Sequence, residues 1–305
     1  MPGKIYKLVE QSSPQLDKLN RDRSIVLVNI SPLEGHGPHL PLGLDFLDGE
    51  FFVKSIAELI VKKMPDLDVV ILPGFPLGTQ VYKYPGSVWV STDVFYKIVR
   101  GIGESLAKFG YQHIYILSGH GAPKDIAAID SACVKVSKRY KIKMNNLSGE
   151  LAVSFLKGDF ADRISEKLEK PLTPEELSIL KKDFHGGWWE TSMMLLLYPE
   201  LVSEEYKNLP DKEKNAETLR ERNGYFGSPS RASAEFARVS LEVITEEALR
   251  LINISQMENE RGQALVSPLH KYLTLRPYFL RRIISISLII IKTAVIIYII
   301  YKILR

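Results

Sequence analysis

The sequence predicts an α/β fold, a mainly parallel sheet with helices on both faces. Three observations carry that expectation. Short β-branched runs at 25–30, 68–73, 113–117 and 142–147 alternate with stretches of helical apolar spacing, the signature of successive strand and helix units. Histidines and carboxylates gather just past the ends of two of those runs, where open parallel sheets bind their ligands. The chain also has 305 residues, 45% of them hydrophobic, ample for one large buried core and an appendage.

Taken in order, residues 1–23 are polar, without the apolar region of a secretory signal, so none is expected. The run 25–30 is a buried strand that ends at a Pro/Gly-rich turn. Residues 51–63 place Phe52, Ile56, Leu59 and Ile60 on one helical face, and 68–73 is the second strand. A helix opens at Thr92 and Asp93, a natural capping pair, and stops at Gly110. The third strand, 113–117, is followed by a helix over 125–140 and a strand over 142–147. Residues 157–183 are charged and form a solvated loop and helix able to cover a site; 211–222 are charged and solvated. A helix starts near Glu190, and 230–261 is a long closing helix.

The stretch Glu34-Gly-His36-Gly-Pro-His39-Leu-Pro-Leu-Gly-Leu-Asp45 follows the first strand. Singly, Glu34 and His36 could satisfy turn backbone, and Asp45 could cap a helix. Together they form half of a metal site, because zinc and manganese take ligands from this mixture of carboxylate oxygen and imidazole nitrogen. His120, between glycines past the third strand, lies at the same sheet edge. Farther on, Gly186 and Gly187 permit close backbone approach, and Trp188 and Trp189 offer flat apolar walls, Trp188 the better candidate for substrate contact.

These blocks resemble those of the creatininase (creatinine amidohydrolase) family. Glu34 to Asp45 is similar to its signature. Leu72-Pro-Gly-Phe-Pro-Leu-Gly78 with Tyr84-Pro-Gly-Ser87 resembles its second block, and Ser118-Gly-His120-Gly121 its Asn-Gly-His-Gly turn. His185-Gly-Gly-Trp-Trp-Glu190-Thr-Ser resembles its His-Ala-Gly-x-x-Glu-Thr-Ser block, and Gly227-Ser-Pro-Ser-Arg-Ala-Ser its closing block. The resemblance implies a homo-oligomeric hydrolase with two divalent ions, zinc or manganese with iron as a further option, opening a non-peptide and often cyclic amide through a metal-activated water. By position, Glu34, Asp45 and His120 would hold one ion, and Asp45 would bridge to a second held by His36. Creatininase itself has a further glutamate two residues after the His120 position. Here that residue is Ala122, followed by Pro123, and Glu190 is the available substitute ligand. His185 is the candidate proton shuttle, with Glu190 beside it in the catalytic set. Ser87 is a further expected substrate contact, and His39 would orient a ligand from behind. A non-catalytic, membrane-tethered binding or scaffold protein and a peptidase-like member of the family stay open as alternatives.

Charge divides unevenly. Of 40 basic residues, seven lie from His270 onward, where no acidic residue occurs, so the body carries 33 basic against 36 acidic residues. That balance argues against a nucleic-acid partner. The single cysteine, Cys133, excludes an intrachain disulfide. Residues 283–301 have one charge, Lys292, which costs roughly 2.5 to 3.5 kcal/mol at a bilayer centre against roughly −6 kcal/mol from the aliphatic residues. The expected organisation is therefore a metal-hydrolase domain over 1–265, a basic linker over 266–282 and a transmembrane helix over 283–304. Lys271, Arg276, Arg281 and Arg282 on the body side would hold the catalytic domain in the cytoplasm.

Overall fold

The central strand, Ser24–Ser31 (β2), is buried at all eight positions because both faces of the sheet are covered, which is why it reads as a continuous apolar run. In the computed structural model, residues 2–215, 223–257 and 260–277 are described, together with separate residues between 283 and 297. Ile5–Lys7 (β1), Asp68–Pro76 (β3), His113–Leu117 (β4) and Lys143–Asn146 (β5) complete a sheet of order β1-β3-β2-β4-β5. Every pairing in it is parallel, as expected from the alternation of strands and helices. β1 was not expected, because three residues at a sheet edge carry too little apolar pattern to stand out.

Ser13–Asp17 (α1) precedes β2. One face of the sheet is covered by Leu44–Lys63 (α2), Leu147–Lys157 (α5), Asp159–Lys167 (α6), Trp188–Leu197 (α8) and Ala234–Met257 (α9). There Ile25, Leu27, Val69 and Tyr115 meet Phe52, Ile56, Trp188 and Phe236. The other face is covered by Thr92–Lys108 (α3) and Pro123–Tyr140 (α4), where Val26, Val28, Val70 and Ile114 meet Phe95, Val99 and Ile129. The two-residue period of the strands sends alternate side chains to these two cores. Pro174–Leu180 (α7) packs outside α6 and opens on a Thr173 and Glu176 capping box.

Several helices differ from expectation: α1 and α6 fall in stretches read as polar or as solvated loop, and two more differ beside the site. α2 begins at Leu44, not near 51, and its first turns carry Asp45 and Asp48 buried; carboxylates facing inward hid the apolar period. α5 was not foreseen, since it starts directly after β5 with no intervening turn.

The first residues of the expected basic linker are tied to the body, with Ser267 Oγ donating to Asp130 at 2.6 Å. The expectation of membrane association, with the body held at the cytoplasmic face, is corrected. Among the described residues no helix is long and apolar enough to cross a membrane. Crossing needs about 20 consecutive apolar residues in one helix. The rest of 283–304 lies outside the described residues, as does the 216–222 part of the charged stretch.

Candidate metal centre

The ends of β2 and β4 and the first turns of α2 and α8 meet at one point. Glu34 and His36 lie in the turn after β2, Asp45 is the second residue of α2, His120 follows β4, and Glu190 is the third residue of α8. Gly119 permits a close approach: a Cβ there would sit 2.3 Å from the Asp45 carbonyl oxygen. Gly186, at φ +62°, would likewise bring a Cβ to 2.8 Å from the His36 carbonyl oxygen.

Asp45 stands between two sets of ligand atoms. Its Oδ2 is 3.3 Å from His120 Nδ1, which is 3.2 Å from Glu34 Oε2. Its Oδ1 is 3.4 Å from His36 Nε2, which is 3.7 Å from Glu190 Oε2. Two triads therefore share one carboxylate, Glu34 with Asp45 and His120, and His36 with Asp45 and Glu190.

The imidazoles are oriented by carbonyls, which can only accept. His36 Nδ1 donates to the Glu34 carbonyl at 3.0 Å, and His120 Nε2 donates to the Gln80 carbonyl at 2.8 Å. In its neutral form each ring has its lone pair on the Asp45 side, the tautomer a metal ligand requires. The Gln80 carbonyl is itself positioned, because Asp125 accepts from the backbone N–H of Thr79 at 2.7 Å and of Gln80 at 2.8 Å. The Tyr82 backbone N–H donates to the other Glu34 oxygen.

Electrostatics and unfilled valence both point to cations. Glu34 Oε2, His36 Nε2 and both Asp45 oxygens are buried without a hydrogen-bond partner among the described residues, a costly state that bound ions would relieve. Burial pushes Glu34 and Glu190 up to about 7 against the pull of the neighbouring imidazoles. Burial opposes a charged His36, yet Asp45 and Glu190 raise it to about 10. These residues fit divalent metals of the borderline class: two sets of mixed O and N donors, with three carboxylates to offset the charge of two ions.

The other predicted residues have distinct places. His185 Nε2 donates to the Gly35 carbonyl at 2.9 Å, and its ring lies 4.0 Å from that of His36. Burial, reinforced by His36, holds it well below the usual imidazole range, so it is neutral, with the proton on Nε2 and Nδ1 bare. His39 Nε2 bonds Thr191 Oγ1 at 2.9 Å, bracing the residue next to Glu190. Ser87 Oγ donates to the Tyr82 carbonyl at 2.8 Å and accepts from the Gly35 N–H, joining two site loops.

A cavity of about 540 Å³ opens from the metal centre, and Ser87 and Trp188 are not among its lining residues. Trp188 turns instead towards Phe236, with ring centroids 5.3 Å apart. The indole in the cavity wall is that of Trp189, stacked on Phe52. At the start of a helix adjacent residues point about 100° apart, so an adjacent pair of tryptophans cannot reveal which one faces the site. Phe160 of α6 lines the cavity, so part of 157–183 does border the site.

Sequence reasoning missed Asp183. Its carboxylate accepts from the backbone N–H groups of Trp188 and Trp189 at 2.9 Å and of Ser228 at 3.0 Å, tying down the start of α8 two residues before Glu190. Its position just outside a helix that lacks another capping side chain was the available signal.

The creatininase family model, described as creatinine amidohydrolase, matches residues 9–252. A creatinine amidohydrolase of Pseudomonas putida is 25% identical over 188 residues, 58% of this chain and 66% of that protein; the chain thus matches just under two thirds of that relative's length. Among solved structures, a manganese creatininase superposes with a TM-score of 0.66 at 21% identity, covering 83% of this chain and 99% of the other. A mutant creatininase complexed with creatine gives 0.62 at 20% identity over 83% and 99%. A structure described as a putative creatinine amidohydrolase from Bacteroides fragilis gives 0.58 at 19% identity over 83% of this chain and 97% of its own.

Proposed function

The chain belongs to the creatininase family, and we propose from that premise that it is a metal-dependent hydrolase of a non-peptide carbon–nitrogen amide bond, with cyclic amides the class the family suggests. The observation that carries this reading is the sharing of Asp45 between two triads in which Glu34 Oε2, His36 Nε2 and both Asp45 oxygens are buried without a hydrogen-bond partner among the described residues. Glu34, Asp45 and His120 would hold one ion, and His36, Asp45 and Glu190 the second. Divalent ions held there would lower the pKa of a water from 15.7 to about 7 and polarise the scissile carbonyl.

The chain's own residues supply the rest. His36 and His120 keep their lone pairs on the metal side because backbone carbonyls hold their N–H groups. His185, neutral and beside His36, accepts a proton at Nδ1 and passes it to the leaving nitrogen, which must be protonated before an amide C–N bond breaks. Apolar walls that include Trp189 and Phe52 keep bulk water from competing, which strengthens every charge interaction at the centre. Glu190 beside His36 supports a second metal position despite Ala122. Ala122 and Pro123 have a helix-starting role here, as N-cap and first residue of α4. Nothing favours the scaffold alternative, which drew on those two residues and on a membrane segment.

The test is hydrolysis of a panel of cyclic amides by zinc-loaded and manganese-loaded protein. His36→Ala and His120→Ala are expected to remove activity while circular dichroism stays that of the parent. Activity retained in both variants would refute the assignment.

A further inference from the structure

The cavity does not end at the metal centre. Beyond Glu34 it follows α2 past Gly49, Phe52 and Ile56, and that seven-residue step covers about 10 Å at 1.5 Å per residue. α5 closes the opposite side with Leu151 and Phe155, and Ile244 of α9 lines it as well. At about 540 Å³ it falls within the range of about 300–1,000 Å³ that encloses drug-sized ligands. A small polar ring at the metals would leave most of this apolar surface uncovered. On the other side of the centre stands a cation. Lys214 borders the cavity, with its ammonium 3.8 Å from the ring centroid of Phe184 and 5.9 Å from that of Tyr82. Those rings flank His185, Phe184 as its chain neighbour and Tyr82 at 4.5 Å. Lys214 and Phe184 are exposed, so the cavity opens to solvent at this end, as it also does beside Leu156 of α5.

The order along the cavity is therefore cation, metal centre, apolar tunnel. We propose that the substrate is an amide with an extended apolar arm on one side of the scissile bond and an anionic group on the other, as in an N-acyl amino acid. The arm lies between α2 and α5, the anion meets Lys214, and the amide falls at the metals. Hydrolysis then forms one C–O bond from water and breaks the C–N bond. One water proton goes to the departing amine, and the acyl product keeps the apolar arm. The inference rests on the amidohydrolase reading for its chemistry but on the cavity alone for its recognition.

Binding and turnover are measured separately on the full chain loaded with zinc, using N-acetylglycine, N-decanoylglycine and N-decanoylglycinamide in calorimetry and in an assay for released amine. The decanoyl compound is expected to bind at least about tenfold more tightly than the acetyl one, a difference of about 1.4 kcal/mol. Ala152→Phe, which narrows the tunnel from α5, should shrink that ratio. Lys214→Gln, on the surface, should abolish the preference for N-decanoylglycine over its neutral amide. Tight binding of the decanoyl compound without release of amine would sink the amidohydrolase reading and leave the recognition standing. Hydrolysis of cyclic amides by a protein with no decanoyl preference would overturn this inference and leave that reading intact. Absence of both would overturn both.

Discussion

Asp125 shows how a residue that touches no ligand atom can control the centre. It holds the backbone of Thr79 and Gln80 by two hydrogen bonds, and the Gln80 carbonyl in turn fixes the ring of His120. Groups that orient a ligand in this way change metal affinity by about 10- to 100-fold when removed. Asp125→Ala should therefore weaken zinc binding in a competition titration by that order while the far-ultraviolet spectrum stays unchanged; unaltered affinity would show that His120 needs no such brace. Glu34, His36, Asp45 and His120 were legible in the sequence because mixed carboxylate and imidazole ligands at strand ends have few other uses. Asp125 was not legible as a site residue, because an acidic residue in the first turn of a helix is explained by the helix alone.

Among the elements, α8 carries Glu190, the proposed substitute ligand. Its start depends on Asp183, which accepts three backbone N–H groups with both oxygens. In Asp183→Asn one oxygen becomes an amide donor facing a donor, so a loss of about 1–3 kcal/mol is expected, read as a lower urea midpoint together with reduced metal content. An unchanged midpoint would contradict the anchoring role. α4 carries a second buried carboxylate, Asp130, bonded to Asn146 and Ser267 and pushed up to about 7 by burial. Its folded value lies above the ordinary 3.8, so between about 4 and 7 the folded state binds the extra proton and stability falls as pH rises. Asp130→Asn should flatten this part of the stability profile; the same slope in the variant would refute the assignment. Strand and helix order was readable because parallel strands buried on both faces write continuous apolar runs. The start of α2 was hidden because Asp45 and Asp48 face inward, towards the metal centre, where an apolar face was being sought.

At the scale of the whole molecule, one α/β layer brings ligands separated by more than 150 residues, from Glu34 to Glu190, to one sheet edge. The family was readable from ordered motif blocks, and its fold follows over 83% of the chain. The apolar tunnel was not readable, because its walls come from α2, α5 and α9 and have no common sequence pattern. For the tail, hydropathy alone suggested a membrane span; among the described residues no helix is long and apolar enough to cross a membrane, and most of 283–304 lies outside them. The central claim is that Glu190 completes a second metal position in place of the glutamate replaced by Ala122. Its most direct test is metal content per full chain by mass spectrometry, in the parent protein, Glu190→Gln and His120→Ala. About two ions in the parent, one in Glu190→Gln and a loss in His120→Ala are the predicted result. A parent holding one ion, or a Glu190→Gln variant that still holds two, would contradict it.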